Sequence, residues 1–206
     1  MNHHTPILAS LLASAAVSTA SAAVAVSNLG ESPNGGIGFQ TQVATSFTTG
    51  DGLPSWSLES IAIAFTRDTG NSADGITVSI HSDAGGTPGT QTVSLTGSAI
   101  TDPGTYLFTP SSATNLAAST TYWLVMSGGS LSGDITRWAL TSSDSESPAL
   151  AGWSIGDDVF TSSSGWASAG PQTGQFAVNV VPEPSGALLA GLGVFSIALR
   201  RRRGGF

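Results

Sequence analysis

Side chains able to perform acid–base or nucleophilic chemistry are scarce in this sequence. Its 206 residues include no Cys and three His, and His81 is the one His outside the first four residues. A general base there needs a partner carboxylate, for which Asp83 is the nearest candidate in sequence. Because strand alternation places His81 on a polar face near a strand end, a solvated histidine is the simpler interpretation. We therefore expect no catalytic site and no enzyme activity.

The spacing of the Glu residues gives equally little support for catalysis by a pair of carboxylates. Glu31, Glu59 and Glu146 share no motif that would pair two acids, as a glycosidase requires. The absence of Cys also excludes disulfides and thiolate metal sites. A hydrolase is thus a weak alternative, and we expect no cofactor.

One acidic pair could still bind a hard cation. Asp157 and Asp158 lie between Gly156 and Val159, and Asp83 precedes a Gly-rich stretch. Oxygen ligands of this type suit Ca²⁺ outside cells. No EF-hand or nonapeptide pattern is present, so a turn is the favoured interpretation and calcium an open alternative.

Tryptophan side chains offer a further kind of site, because exposed aromatic faces can stack on sugar rings. Trp153 and Trp166 lie in loop-like stretches rich in Gly and Ser, and Trp56 follows a Pro-Ser pair. Trp123 and Trp138 resemble core residues. We consider glycan contact through Trp153 and Trp166 alongside the alternative that all five Trp are packed inside. Ice binding has less support, since the Thr residues show no steady repeat.

The elements that must position these residues are predicted to be strands. Ile76, Val78 and Ile80 alternate with polar residues, and the run 122–126 is continuously apolar, as in a strand buried on both faces. Further strands are expected at 43–48, 61–65, 93–95, 105–108, 136–140 and 176–180, with Gly, Pro and Asp turns between several of them. The pattern predicts one all-β domain over residues 23–180, an antiparallel β-sandwich or jelly roll.

The charges are distributed unevenly along the chain. All six basic residues are Arg, and four of them occupy positions 200–203. Residues 23–181 contain nine Asp and three Glu against two Arg, so their net charge is 2 − 12 = −10, compared with −7 for the whole chain. Nucleic-acid binding is excluded by this balance. Neutral glycans or a cation-bridged matrix are more compatible partners than anionic polymers.

The first 22 residues are typical of a secretory signal peptide. An apolar stretch over 6–17 is followed by small residues, and Ala20 and Ala22 form an A-x-A cleavage pattern. A cut after Ala25 is the alternative. The segment directs the chain out of the cytoplasm.

The last 26 residues, 181–206, have three successive parts. An extended motif contains Val181, Pro182, Glu183, Pro184 and Ser185. Residues 186–199 are uncharged and predict a single hydrophobic helix, short for a membrane span. The final part is a cluster of Arg200, Arg201, Arg202 and Arg203, expected to stay cytoplasmic while the domain lies outside.

This order of motif, apolar segment and Arg cluster resembles the PEP-CTERM sorting signal of Gram-negative bacteria. The resemblance implies recognition by an exosortase, a membrane protease that would cut near the motif, after a transient stay in the inner membrane. It also implies a final place at the cell surface or in the extracellular matrix, associated with exopolysaccharide or biofilm.

The domain itself resembles the choice-of-anchor R type. The resemblance is carried by Gly38-Phe39-Gln40-Thr41, by residues 44–50, by Val78 to Gly89 and by Leu116 to Val125. It implies a domain type that occurs on different surface anchors, and it implies no established activity.

Overall fold

The computed structural model describes residues 21–38, 42–67, 76–128, 136–142, 145–147 and 149–182. Every regular element in these ranges is a β-strand, and the strands pair antiparallel. The predicted all-β, antiparallel fold is confirmed, and the narrower assignment to a sandwich or jelly roll stays a prediction. Within the same ranges, no helix is long and apolar enough to cross a membrane.

Fourteen strands form the described part of the fold. The first seven are β1 (Ala23–Ser27), β2 (Gly35–Gly38), β3 (Val43–Thr48), β4 (Ser55–Arg67), β5 (Thr77–Asp83), β6 (Pro88–Gly97) and β7 (Gly104–Pro110). The others are β8 (Asn115–Ala117), β9 (Thr121–Ser127), β10 (Thr136–Thr141), β11 (Ser154–Ser162), β12 (Gly165–Ser168), β13 (Thr173–Gly174) and β14 (Phe176–Pro182).

The strands build one curled sheet around a single main core. Its hydrogen-bonded order is β1-β14-β4-β7-β6-β5-β9-β3-β11-β12, and β10 joins β4 to β2 and β13. Phe47 of β3 and Phe176 of β14 are far apart in this order, yet their ring centroids lie 6.2 Å apart. The sheet therefore curls until its two ends face each other across the core.

Alternation of apolar residues predicted the main strands well. Val78 and Ile80 of β5 are buried. The apolar run 122–126 forms the buried part of β9, because alternate residues of the run pack in the main core on one face and in a second, smaller cluster on the other. These two predictions are confirmed.

Strand β11 contains an irregularity that matters for the site. Ile155 pairs with Phe47 and Asp158 with Thr45, so three steps along β11 match two along β3. The extra residue is a β-bulge, which shifts the alternation of side chains between the two faces. Gly156 suits this position, since a Cβ there would lie 2.5 Å from Ser46 Oγ. The bulge turns Asp158 inward, onto the same face as Thr45.

Candidate functional site

A cavity of about 180 Å³ lies where β2, β3, β10 and β11 meet. Its buried walls are Val43, Ala44, Trp138, Leu140, Asp158 and Val159. Four half-buried residues form its solvent-facing side, namely Gly36, Ile37, Ala169 and Gln172. The walls are mainly apolar, and the one ionisable side chain among these ten residues is Asp158.

Asp158 as a whole is 8% exposed, and its two carboxyl oxygens have different surroundings. Oδ1 accepts a hydrogen bond from Thr45 Oγ1 and a long one, 3.5 Å, from the Gly174 backbone N–H. Oδ2 is buried without a hydrogen-bond partner. The Thr173 hydroxyl is near enough to favour the charged carboxylate, but no bond to Oδ2 meets hydrogen-bond geometry.

Burial dominates the protonation of this group. It raises the pKa of Asp158 from 3.8 to about 7, against the smaller opposing effects of Thr45, Gly174 and Thr173. The charge of Asp157 raises the pKa slightly further. Buried carboxyls with raised pKa values that line a cleft are typical of binding or catalytic sites, although structural networks produce them too.

Trp138 supplies the largest apolar wall. Its Nε1 donates to the Gln175 carbonyl at 3.0 Å, and its ring packs against Phe176 with centroids 6.2 Å apart. With its polar atom satisfied and its ring 1% exposed, Trp138 is fixed in place. The predicted core position of Trp138 is confirmed, and its ring forms a rigid surface of the cavity.

The acidic pair does not form the turn that the sequence pattern favoured. Asp157 and Asp158 lie inside β11, and the bulge leaves Asp157 exposed on the face opposite the buried Asp158. The two carboxylates therefore do not converge on one cation. Within the described ranges, no group of three or more His, Asp or Glu is placed to hold a metal ion. The single signal for Asp158 in the sequence was its Gly-Asp-Asp context, and only the bulge shows which Asp points inward.

His81 and Asp83 lie near each other in β5 but bind different partners. The His81 ring contacts the Gly89 carbonyl at 2.9 Å through Nδ1 and the Ser79 hydroxyl at 3.0 Å through Nε2. Asp83 accepts a 2.8 Å hydrogen bond from Trp123 Nε1, which lowers the pKa of Asp83. The Asp83 carboxylate also accepts bonds from the backbone N–H groups of Gly85 and Gly86. The His81 ring is thus bonded to a hydroxyl and a carbonyl and not to Asp83, which instead orders the following turn.

The three glutamates considered as catalytic acids have different surroundings. Glu59 is exposed on β4, and Glu146 accepts a hydrogen bond from the Ile155 backbone N–H. Glu31 is half-buried, and its backbone carbonyl accepts a 2.7 Å bond from Gln175 Nε2. None of these contacts pairs two acids.

The two tryptophans considered for sugar contact differ sharply. Trp153 is 4% exposed and stacks on Phe47 with an interplanar angle of 5°, so its face is not available to a sugar. Trp166 is half-buried and packs on a smaller cluster formed by Ala44, Trp123, Val125 and Val159. The prediction that both lie in loops is wrong for Trp166, which belongs to β12, while Trp153 immediately precedes β11. Only Trp166 keeps accessible surface.

Both terminal segments leave the domain at the same end. Ala23 pairs with Val180, so the start of β1 lies beside the end of β14. Ala22 is exposed just before β1, whereas Ala25 is fully buried within it. Val181 and Pro182 still pair with β4. The other predicted processing residues lie outside the described ranges, and they are Ala20, Glu183, Pro184, Ser185, Arg200, Arg201, Arg202 and Arg203, together with the apolar segment 186–199.

Comparison with protein families identifies the C-terminal signal. Residues 180–203 match the PEP-CTERM protein-sorting motif. The motif begins within β14 and marks the chain as an exported, surface-directed protein and a target of exosortase. A search of curated proteins finds no match to this chain.

Proposed function

We propose that this chain is a non-enzymatic protein of the cell surface or extracellular matrix, cut by an exosortase and associated with extracellular polysaccharide. Before the cut, the apolar segment 186–199 would hold it in the inner membrane of a Gram-negative host. The observation that carries the proposal is the sorting motif at 180–203, continuous with the last strand of the domain.

The positions of the two ends support this route. Because β1 and β14 are neighbours, the signal peptide and the sorting tail would hold the same end of the domain at the membrane. A cut after Ala22 leaves β1 whole, whereas a cut after Ala25 would remove three of its five residues, one of them buried. A second cut beyond Pro182 would likewise leave β14 whole.

The side-chain contacts also favour a role without catalysis. His81 Nε2 contacts the Ser79 hydroxyl, but Nδ1 contacts the Gly89 carbonyl where a hydrolase triad has a carboxylate. The Asp83 carboxylate is bonded instead to Trp123 and to the turn it caps. The predicted choice-of-anchor R domain type agrees with such a role and stays a proposal.

Sorting can be tested by changing the motif. We expect Pro182→Ala/Glu183→Ala/Pro184→Ala to accumulate in the membrane fraction with its tail intact, as the unchanged chain does in a host lacking exosortase. The measurement is fractionation followed by intact-mass analysis, in which the processed protein should begin at Ala23 and end beyond Pro182.

The control is Pro110→Ala, which alters a proline at the end of β7, outside the motif, and should be processed normally. Equal amounts of tail-bearing protein in hosts with and without exosortase would contradict the sorting proposal.

Association with polysaccharide is proposed to involve Trp166. Its half-exposed ring lies on β12, and its cross-strand partner on the same face of the hairpin is Thr161 of β11. An aromatic face beside a hydroxyl side chain is a typical surface for a sugar ring, and the charge of −10 on residues 23–181 favours a neutral polymer.

Trp166→Ala is accordingly expected to weaken retention by the host's neutral exopolysaccharide about tenfold, equivalent to ~1.4 kcal/mol of binding free energy. Affinity electrophoresis in gels containing that polymer measures the effect. The control is Leu107→Ala, which removes an apolar side chain, 55% exposed, from β7. If Trp166→Ala migrates like the control, Trp166 is not a sugar contact.

A further inference from the structure

The Asp158 cavity combines two features that the proposed sorting and matrix role leaves unexplained. One is a carboxyl oxygen, Asp158 Oδ2, that is buried and has no hydrogen-bond partner. The other is an adjoining space of about 180 Å³ with mainly apolar walls. A buried polar atom without a partner is destabilising, and native proteins rarely keep one without a reason.

A ligand that brings a hydrogen-bond donor to Oδ2 would remove this penalty. The space is slightly larger than an engineered apolar cavity of about 150 Å³ in another protein that binds benzene. It therefore has room for a benzene-sized group plus one short polar substituent. The Trp138 ring and the aliphatic side chains of Val43, Leu140 and Val159 would contact the apolar part.

We infer that the Asp158 cavity binds a small primary ammonium ion carrying an apolar group of about the size of benzene. The ammonium would donate to Asp158 Oδ2, while Thr45 and Gly174 continue to donate to Oδ1. Charge-assisted bonds of this kind are about twice as strong as neutral ones.

A cation fits better than an anion or a metal. No lining residue is basic, and the surrounding domain is strongly acidic, so its field attracts cations and repels anions. A hard metal ion such as Ca²⁺ takes six to eight oxygen ligands. One carboxyl group and the Thr45 hydroxyl are far short of that number, whereas an ammonium group can donate one of its three N–H bonds to Oδ2 and the others to water at the half-buried side of the cavity.

Binding should depend on pH through Asp158. Burial raises the pKa of this carboxyl to about 7, so an ammonium ion finds a charged partner above that value and a neutral one below it. The strands paired with β11, which are β3 and β12, carry no ionisable side chain, and neither do β13, β1 and β2. Asp157 is the neighbouring charge on β11, and on β10 the Arg137 guanidinium donates to the Gly36 carbonyl at 3.4 Å.

Titration of the processed protein with benzylamine tests the inference. At pH 8, isothermal calorimetry should show saturable binding with a Kd of about 1 mM or tighter. Toluene and benzyl alcohol, which share the ring but lack the charge, should bind at least about tenfold more weakly. Lowering the pH from 8 to 5 should weaken benzylamine binding about tenfold or more while leaving toluene unaffected.

Two variants locate the site and keep the test decisive. Asp158→Asn should weaken benzylamine binding at least about tenfold at pH 8, whereas the matched control Asp157→Asn, on the exposed face, should bind within about twofold of the unchanged protein. Ala169→Phe should block the cavity while leaving the Asp158 carboxyl in place, so it serves if Asp158→Asn does not fold.

The inference is overturned by any of three results. These are the absence of saturable benzylamine binding, equal affinity for benzylamine and benzyl alcohol, or binding that is unweakened in Asp158→Asn or, if that variant does not fold, in Ala169→Phe. None of these outcomes bears on the sorting proposal, because processing at the tail is measured separately.

Discussion

Replacing Asp158 by Asn is expected to raise the free energy of unfolding at pH 8 by about 3 kcal/mol and to change it little at pH 4. In the folded protein, burial raises the pKa of Asp158 from 3.8 to about 7. Between these two values the folded state keeps a proton that the unfolded state has lost, so the stability of the unchanged protein falls as the pH rises through this window. Each pH unit corresponds to about 1.4 kcal/mol, which sets an upper limit of roughly 4 kcal/mol.

The Asn variant lacks this titration. Its amide oxygen can still accept from Thr45, and its NH₂ group takes the place of the unpartnered Oδ2. The difference in free energy of unfolding between Asp158→Asn and the unchanged protein should therefore grow from pH 4 to pH 7 and stay constant above pH 7. The stability associated with the lowered pKa of Asp83, which is lost at acid pH, is common to both proteins and cancels in the comparison.

Urea unfolding followed by circular dichroism at pH 4, 6 and 8 measures the difference. Asp157→Asn is the matched control, because it removes a neighbouring acid that is exposed, and it should lie within about 0.5 kcal/mol of the unchanged protein at each pH. A constant difference between Asp158→Asn and the unchanged protein from pH 4 to pH 8 would show that the buried carboxyl does not titrate in this window.

The strands that could be predicted are those whose alternation is regular. In β5, buried Val78 and Ile80 alternate with half-exposed Ser79 and His81, so the strand follows the period of two seen in its sequence. Strand β9 was predictable for the opposite reason, since a run without polar residues needs cover on both faces.

The site could not be predicted, because it depends on departures from these patterns. The bulge in β11 changes which face Asp158 occupies, and Gly156 next to two acids has the composition of a turn. Short strands with little apolar alternation, such as β2 and β12, were missed as well, and β2 forms one side of the cavity. No local pattern shows that residues 36–37, 43–44, 138–140 and 158–159 meet around one space, because their contacts depend on how the sheet curls.

The tryptophans illustrate the same limit of local patterns. Gly and Ser around Trp153 predict a loop, yet the neighbouring Gly50 and Gly152 let the backbone approach closely enough to bury the ring. A Cβ at Gly50 would lie 2.8 Å from Trp153 Cδ1, and Gly152 adopts φ +76°, a conformation that favours glycine. Gly152, whose neighbourhood indicated a loop, therefore helps Gly50 to make Trp153 a core residue.

Trp153→Ala is consequently expected to lower the free energy of unfolding by about 3–5 kcal/mol, the usual range for removing a buried tryptophan. The ring stacks on Phe47 at 6.3 Å and meets Trp56 edge-on at 5.5 Å, so its removal leaves both rings facing a cavity. Trp153→Phe should cost much less, because the Trp153 Nε1 has no hydrogen-bond partner to lose.

Urea unfolding followed by circular dichroism tests this expectation, with Trp166→Ala as the control. Trp166 is half-exposed, so its removal should lower stability by about 1 kcal/mol or less, although it is the variant expected to lose polysaccharide retention. The two substitutions should thus have different effects: Trp153→Ala should lower stability, and Trp166→Ala should weaken polysaccharide binding. A Trp153→Ala protein as stable as the Trp166→Ala protein would mean that Trp153 is not packed in the core, and its use as a sugar contact would then have to be considered again.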